Sequence, residues 1–335
     1  MSKTDILIKR MASAGFSDQF VRACLPDWWD EQAESSESAW LQMRLDLANR
    51  LSIEPFSLLN DDSVLQLTDG GNARFKHLSL SADQQLAADG FARGLARLLL
   101  AATPPAEHDM PTSAAELRAI LLGDPGAPWI GFAQLLQLCS VFGIPVAHLT
   151  AFPAGIKGMA AMVTAVNGRP AIFTARKPIH SSQLAFYLAH ELGHIALGHV
   201  KEGAIIEGLS LDPDEESAGE EADDDEKAAD GWAFELLTGH PIFSVDADEA
   251  GRGNAAELER LAIRTGHELK VDPGLIILCY GRQTGEWAMA ITALKRLPDQ
   301  QDAVTAVVNR ALRTQLDDEM LSSEDHAYVD AVAAQ

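Results

Sequence analysis

The chain has 335 residues, 47% of them hydrophobic and 22% charged, enough for two domains or one large domain with an appendage. Its net charge of −23 repels a phosphate backbone, and residues 1–110 carry ten basic against sixteen acidic side chains with no Lys/Arg run, so charge does not support nucleic-acid binding. No apolar run approaches eighteen residues, the N-terminus lacks a secretory pattern, and Cys24, Cys139 and Cys279 are too scattered for a disulfide or Cys-x-x-Cys site, so a cytoplasmic protein without a membrane span is expected.

Along the chain, apolar residues at three- and four-residue spacing predict helices over 40–51 and 83–102. The proline-rich stretch 103–112 reads as a linker, which divides the chain into a helical unit (1–105), a second unit (113–300) and a C-terminal helix with an acidic tail (301–335). Amphipathic segments near 113–122 and 131–142 open the second unit. Asn167–Gly168, between β-compatible runs in 159–176, predicts a hairpin with a two-residue type I′ turn. Pro170 removes a ladder donor, which predicts a second strand that starts late or lies at an edge. The free edge of the hairpin is then a place for an extended peptide to add as a strand.

A helix is predicted from about 182 to 198, with Ser181 or Ser182 as its N-cap and Gly198 near its end. The run 207–226 is strongly acidic and reads as a solvated loop. A further helix follows over about 223–238, with Asp223, Asp224 and Asp225 at its N-terminus. Helices near 254–265 and 300–316 are separated by an ambiguous section, and the acidic last twenty residues are expected to be less ordered.

The chemistry sits in the 182–198 helix, which contains His190-Glu191-Leu192-Gly193-His194. Residues four apart share a helix face, so His190 and His194 can offer two imidazoles to one metal ion. Glu191 is turned about 100° from His190, so it borders the site as a proton acceptor for water instead of ligating. Zinc suits such a site because it takes nitrogen and oxygen ligands tetrahedrally and keeps one position open. A third ligand is needed. The longer motif H-E-x-x-H-x-x-G-x-x-H has no match, since Leu197 and Val200 stand at its glycine and histidine positions. On a continuous helix His199 lies on the side opposite His190, which makes it a helix-end or supporting residue. Glu226, on the edge of an apolar stripe formed by Ala229, Ala233, Leu236 and Leu237, is the candidate, with Glu220, Glu221 and Glu235 as competitors. Asp230, one turn on, could hold a ligand histidine by its second nitrogen. Tyr187, His180 and His240 lie nearby in sequence and read as structural.

These two segments resemble the ImmA/IrrE metallopeptidases, which carry an H-E-L-G-H helix after a short sheet and then a helix of the form E-x-x-A-N/D-x-F-A-x-x-L-L. The matching residues are His190 to His194, then Glu226, Ala229, Asp230, Trp232 (in place of phenylalanine), Ala233, Leu236 and Leu237. The resemblance covers about residues 115–240, and the acidic loop between the motifs is longer than in the family. It implies an α+β, zincin-like metallopeptidase domain preceded by a mainly helical one. It further implies zinc on His190, His194 and Glu226, Glu191 as catalytic base, and an endopeptidase whose protein substrate is a helix-turn-helix repressor or antitoxin, so that transcription is regulated by cleavage. The segment 47–61 is similar to the later part of a helix-turn-helix domain. Two alternatives stand beside this: a non-catalytic zinc-containing binding protein, and a DNA-binding regulator acting through residues 1–105.

Overall fold

A computed structural model describes residues 2–68, 74–76, 80–123, 126, 128–153, 159–200, 203–207, 224–246, 254–298 and 301–333. The fold is mixed α+β and mostly helical. In chain order the elements are α1 (Lys3–Ser13), α2 (Asp18–Ala23), α3 (Glu37–Arg50), α4 (Pro55–Leu59), β1 (Arg74–Lys76), α5 (Ala82–Ala102), α6 (Ala114–Leu121), α7 (Phe132–Val141) and β2 (Val146–His148). They continue as β3 (Ala161–Val166), β4 (Arg169–Thr174), α8 (Ser181–Ala196), β5 (Gly203–Glu207) and α9 (Asp224–Thr238). The chain finishes with α10 (Ala255–Leu269), α11 (Pro273–Thr284), α12 (Trp287–Leu294), α13 (Gln301–Gln315) and α14 (Ser323–Val332). Among the described residues no helix is long and apolar enough to cross a membrane.

The five strands form one sheet in the order β1-β5-β3-β4-β2, with β3 antiparallel to both neighbours. Asn167 (φ 52°) and Gly168 (φ 75°) make the expected left-handed turn between β3 and β4. The sheet is sandwiched between helices, and the pleat divides its side chains between two cores. Ala161, Val163 and Ile172 join the core built with α7 and α8. Met162, Ala171 and Phe173 join the core built with α1 to α5 and α14. Burial on both faces explains why these strands read as nearly unbroken apolar runs. The long helix α5, capped at Ser81 and Gln84, crosses the second face. Gly90 and Gly94 let it lie against the end of α3, because a Cβ at Gly94 would sit 1.9 Å from the Arg50 carbonyl oxygen.

Three expectations are corrected. The hairpin is not at an edge: β5 covers β3, and β2 covers β4, so no strand can add to it. Pro170 is tolerated because it pairs with Ala165 in the non-hydrogen-bonded position next to the turn, while β2 pairs with β4 only from Ile172 onward. The missing donor therefore points past the end of β2. Residues 316–333 are not a loose tail, since Tyr328, Val329 and Val332 of α14 are buried against the N-terminal helices and Thr150 N–H donates to Val332 O (2.9 Å). Finally, the N-cap of α8 is His180, whose ring accepts from Ser182 N–H, and neither serine takes that place. The acidic run over 208–223, including Asp223, lies outside the described residues.

The outer edge of β2 is closed by a side chain. Asn309 of α13 accepts from His148 N–H (2.8 Å) and donates to His148 C=O (3.0 Å), as a neighbouring strand would. The His148 ring is buried beside Thr174 Oγ1 (3.0 Å), and burial pulls its pKa down to about 4. The folded chain thus keeps this ring neutral where the unfolded chain protonates it. Stability is full above about pH 6.5 and is lost as pH falls towards 4, by up to roughly 3 kcal/mol. Urea midpoints measured across that window are expected to fall for the wild type and to flatten in His148→Gln.

Candidate metal centre

Helix α8 carries the H-E-x-x-H residues through its most buried stretch. Its start is anchored to α11, where Ser182 Oγ donates to Asp272 Oδ1 (2.8 Å) and Asp272 also accepts from Gly274 N–H (2.7 Å). Burial raises the Asp272 carboxyl above its ordinary pKa. Gly274 has to be glycine, as a Cβ there would lie 2.1 Å from Ser182 Oγ.

Helix α9 is laid along α8 at close range. At Gly193 a Cβ would stand 3.0 Å from Ala229 O and 3.4 Å from Trp232 Cβ, so the backbones touch where α8 has no side chain. The far end of α9 is fixed by Arg118 of α6, whose guanidinium donates to the carbonyls of Leu236 (3.0 Å), Leu237 (2.8 Å), Leu269 (3.1 Å) and Lys270 (3.0 Å). One cation therefore caps the C-termini of both α9 and α10. The Trp232 indole N–H donates to Thr112 O (2.7 Å), holding α9 to the segment before α6.

This packing brings three expected ligands to one point. His190 Nε2 and His194 Nε2 are 3.0 Å apart, Glu226 Oε2 lies 3.3 Å from the first and Glu226 Oε1 3.5 Å from the second. Two ligand atoms about 2.05 Å from a tetrahedral ion are separated by about 3.3 Å, so the spacing fits one small cation. The opposite ring nitrogens are also engaged: His190 Nδ1 with Asp230 Oδ1 (2.9 Å), and His194 Nδ1 with His199 Nδ1 (2.9 Å). The Asp230 contact puts the His190 proton on Nδ1 and leaves its Nε2 lone pair facing the cluster. Among the described residues His190, His194 and Glu226 form a buried group that could hold a metal ion.

Asp230 stands where its spacing from Glu226 predicts, and Arg282 of α11 reaches its other oxygen at 3.7 Å. Glu235 is about two and a half turns beyond Glu226 and is not in the cluster, while Glu220 and Glu221 lie outside the described residues. Glu191 is fully buried on α8 next to His190. All three cysteines are buried, and burial drives the Cys24 and Cys279 thiols up to about 12, so no thiolate nucleophile competes as an active group. Sequence reasoning misses Gly193 as the point of helix contact and Arg118 as the α9 anchor. The H-E-L-G-H glycine is a visible signal for the first, whereas nothing local marks the second.

Alanine at Gly193 forces α9 back by a few tenths of an ångström, carrying Glu226 and Asp230 with it. Metal affinity is expected to fall about tenfold, the low end for a displaced supporting shell. The metal-free melting temperature should change little, because alanine recovers about 1 kcal/mol of helix propensity. Chelator competition and apo-protein melting test both halves.

The fold and cluster define the class: an α+β protein with a buried, metal-competent His-His-Glu group built between two helices. No family model matches the chain, and no curated protein or solved structure matches it.

Proposed function

We propose that this chain is a zinc-dependent endopeptidase of the ImmA/IrrE kind, with a zincin-like catalytic unit, that cuts a regulatory protein such as a helix-turn-helix repressor or antitoxin. The observation that carries the reading is the convergence of His190 Nε2, His194 Nε2 and the Glu226 carboxylate, with Glu191 at the adjacent position. Two imidazoles and one glutamate, with a fourth position open, form a donor set that catalytic zinc takes. Zinc, when bound, supplies Lewis-acid polarisation of water and of the scissile carbonyl.

The protein's own groups do the rest. His190, His194 and Glu226 hold the ion, and Asp230 fixes the His190 tautomer by accepting from Nδ1–H. Glu191 takes a proton from the attacking water at a carboxylate oxygen as the C–O bond forms and delivers it to the departing nitrogen, so the C–N bond breaks to a carboxylic acid and an amine, which then exchange the second proton to leave a carboxylate and an ammonium.

A second reading is favoured by burial. His190 is 1% exposed, Glu191 and His194 0%, and Glu226 6%, the closed setting of a structural ion in a non-catalytic binding protein. The deciding experiment incubates the zinc-loaded chain with a candidate helix-turn-helix repressor or antitoxin. Cleavage by the wild type and not by Glu191→Gln supports the peptidase. Stable zinc without cleavage, together with a complex between the two proteins, supports the binding protein.

A further inference from the structure

We propose that His199 is a positioning residue, which sets the tautomer of His194 from behind and ties it to the start of α9 through Asp225. The proposal rests on the metal-site reading and assigns a role to a histidine that ligates nothing itself.

The backbone makes the pairing first. Helix α8 ends at Ala196; Leu197 is its C-cap and Gly198 turns left-handed (φ 71°). Gly198 N–H donates to Ile195 O (3.1 Å) and His199 N–H to His194 O (2.9 Å), the two bonds of a Schellman turn. The turn folds residue 199 back over residue 194, whereas a continuing helix would send it to the opposite side. The side chains repeat the pairing, Nδ1 to Nδ1 at 2.9 Å, and His199 Nε2 faces Asp225 Oδ1 at 3.6 Å.

Only one proton fits between two Nδ1 atoms, so the two tautomers are coupled. With the proton on His194, His199 accepts at Nδ1 and carries its own proton at Nε2, towards the Asp225 carboxylate. His194 Nε2 is then a bare lone pair aimed at the cluster. The reverse assignment would place an N–H on His194 Nε2, pointing at His190 Nε2 3.0 Å away and blocking ligation. Asp225 at the far end selects the first arrangement. Each ligand histidine is thereby supported from behind, His190 by a carboxylate and His194 by an imidazole backed by a carboxylate. Asp225 also directly precedes Glu226, so the same chain joins the turn after α8 to the first turn of the helix that brings the third ligand.

The test measures zinc and Co(II) affinity of the full chain by chelator competition, with the Co(II) absorption spectrum as a report on ligand geometry. Asparagine places its Oδ1 where a histidine holds Nδ1, so it can still accept from His194. His199→Leu is expected to bind both metals about 10- to 100-fold more weakly, with an altered Co(II) spectrum. His199→Asn is expected to recover most of the affinity and the wild-type spectrum, and Asp225→Asn to lose an intermediate amount. Apo-protein melting confirms that each variant folds. Wild-type affinity in His199→Leu, or equal losses in folded His199→Leu and His199→Asn, overturns the role of His199 and leaves the metal site standing. If His199→Leu does not fold, the comparison is Asp225→Asn against His199→Asn, and equal binding by these two overturns the proposal. A wild-type chain that binds neither metal overturns the site reading and this proposal with it.

Discussion

Alanine in place of His194 is expected to abolish the metal-dependent part of the chain's thermal stability. An ion that binds the folded cluster and not the unfolded chain stabilises by about 4 kcal/mol when present at about a thousand times its dissociation constant. For a chain of 335 residues that is a shift of roughly 6 °C. The cluster's donor atoms come from α8 and α9, which are separated in sequence and meet only when folded, so the unfolded chain has no comparable site. His194 is fully buried, and its removal takes away one of two nitrogen donors and leaves a cavity. The cavity cost falls on the apo and loaded forms alike, so it cancels when each variant is compared with and without chelator. Chelator should lower the wild-type melting temperature and leave that of His194→Ala unmoved. An equal drop in both would remove the cluster as the site of binding. Glu226→Gln is the companion variant, because it keeps the volume and removes the charge that balances the ion.

The second large effect concerns chemistry alone. Glu191→Gln is nearly isosteric at a fully buried position, so fold and metal content should match the wild type. Loss of the proton acceptor is expected to lower cleavage by about 10²- to 10⁴-fold. Single-turnover cleavage of the candidate repressor, followed alongside metal analysis, separates this from loss of the ion. Wild-type cleavage by a zinc-loaded Glu191→Gln chain would remove Glu191 as the base.

Features legible in the amino-acid sequence are local ones. The period of four in H-E-x-x-H, the stripe behind Glu226 and the Asn-Gly turn each place their residues through the geometry of a single element, and α8, α9 and the β3–β4 turn follow them. The spacing of Asp230 from Glu226 likewise anticipates its contact with His190. Features that escape sequence reasoning depend on pairs far apart in the chain. β1 is three residues long and pairs with β5 across more than a hundred positions, so neither carries a long enough pattern to stand out. That pairing, with β2 on the other side, is what buries the hairpin and rules out strand addition to it. His199 falls on the wrong side only if the helix is unbroken. Gly198, an end signal in its own right, breaks the helix and brings the ring back to His194. The order of α14 is hidden because acidic composition outweighs the spacing of Tyr328, Val329 and Val332.

The Asn309 clamp on β2 has a consequence for how the molecule behaves in a crowd. A bare strand margin is a template on which a second chain can crystallise its own backbone, the first step of sheet-to-sheet aggregation. At His148 both backbone groups that would serve as that template are already occupied by one amide side chain. On that side the sheet is terminated rather than merely ended, and an asparagine does so in the place of another strand.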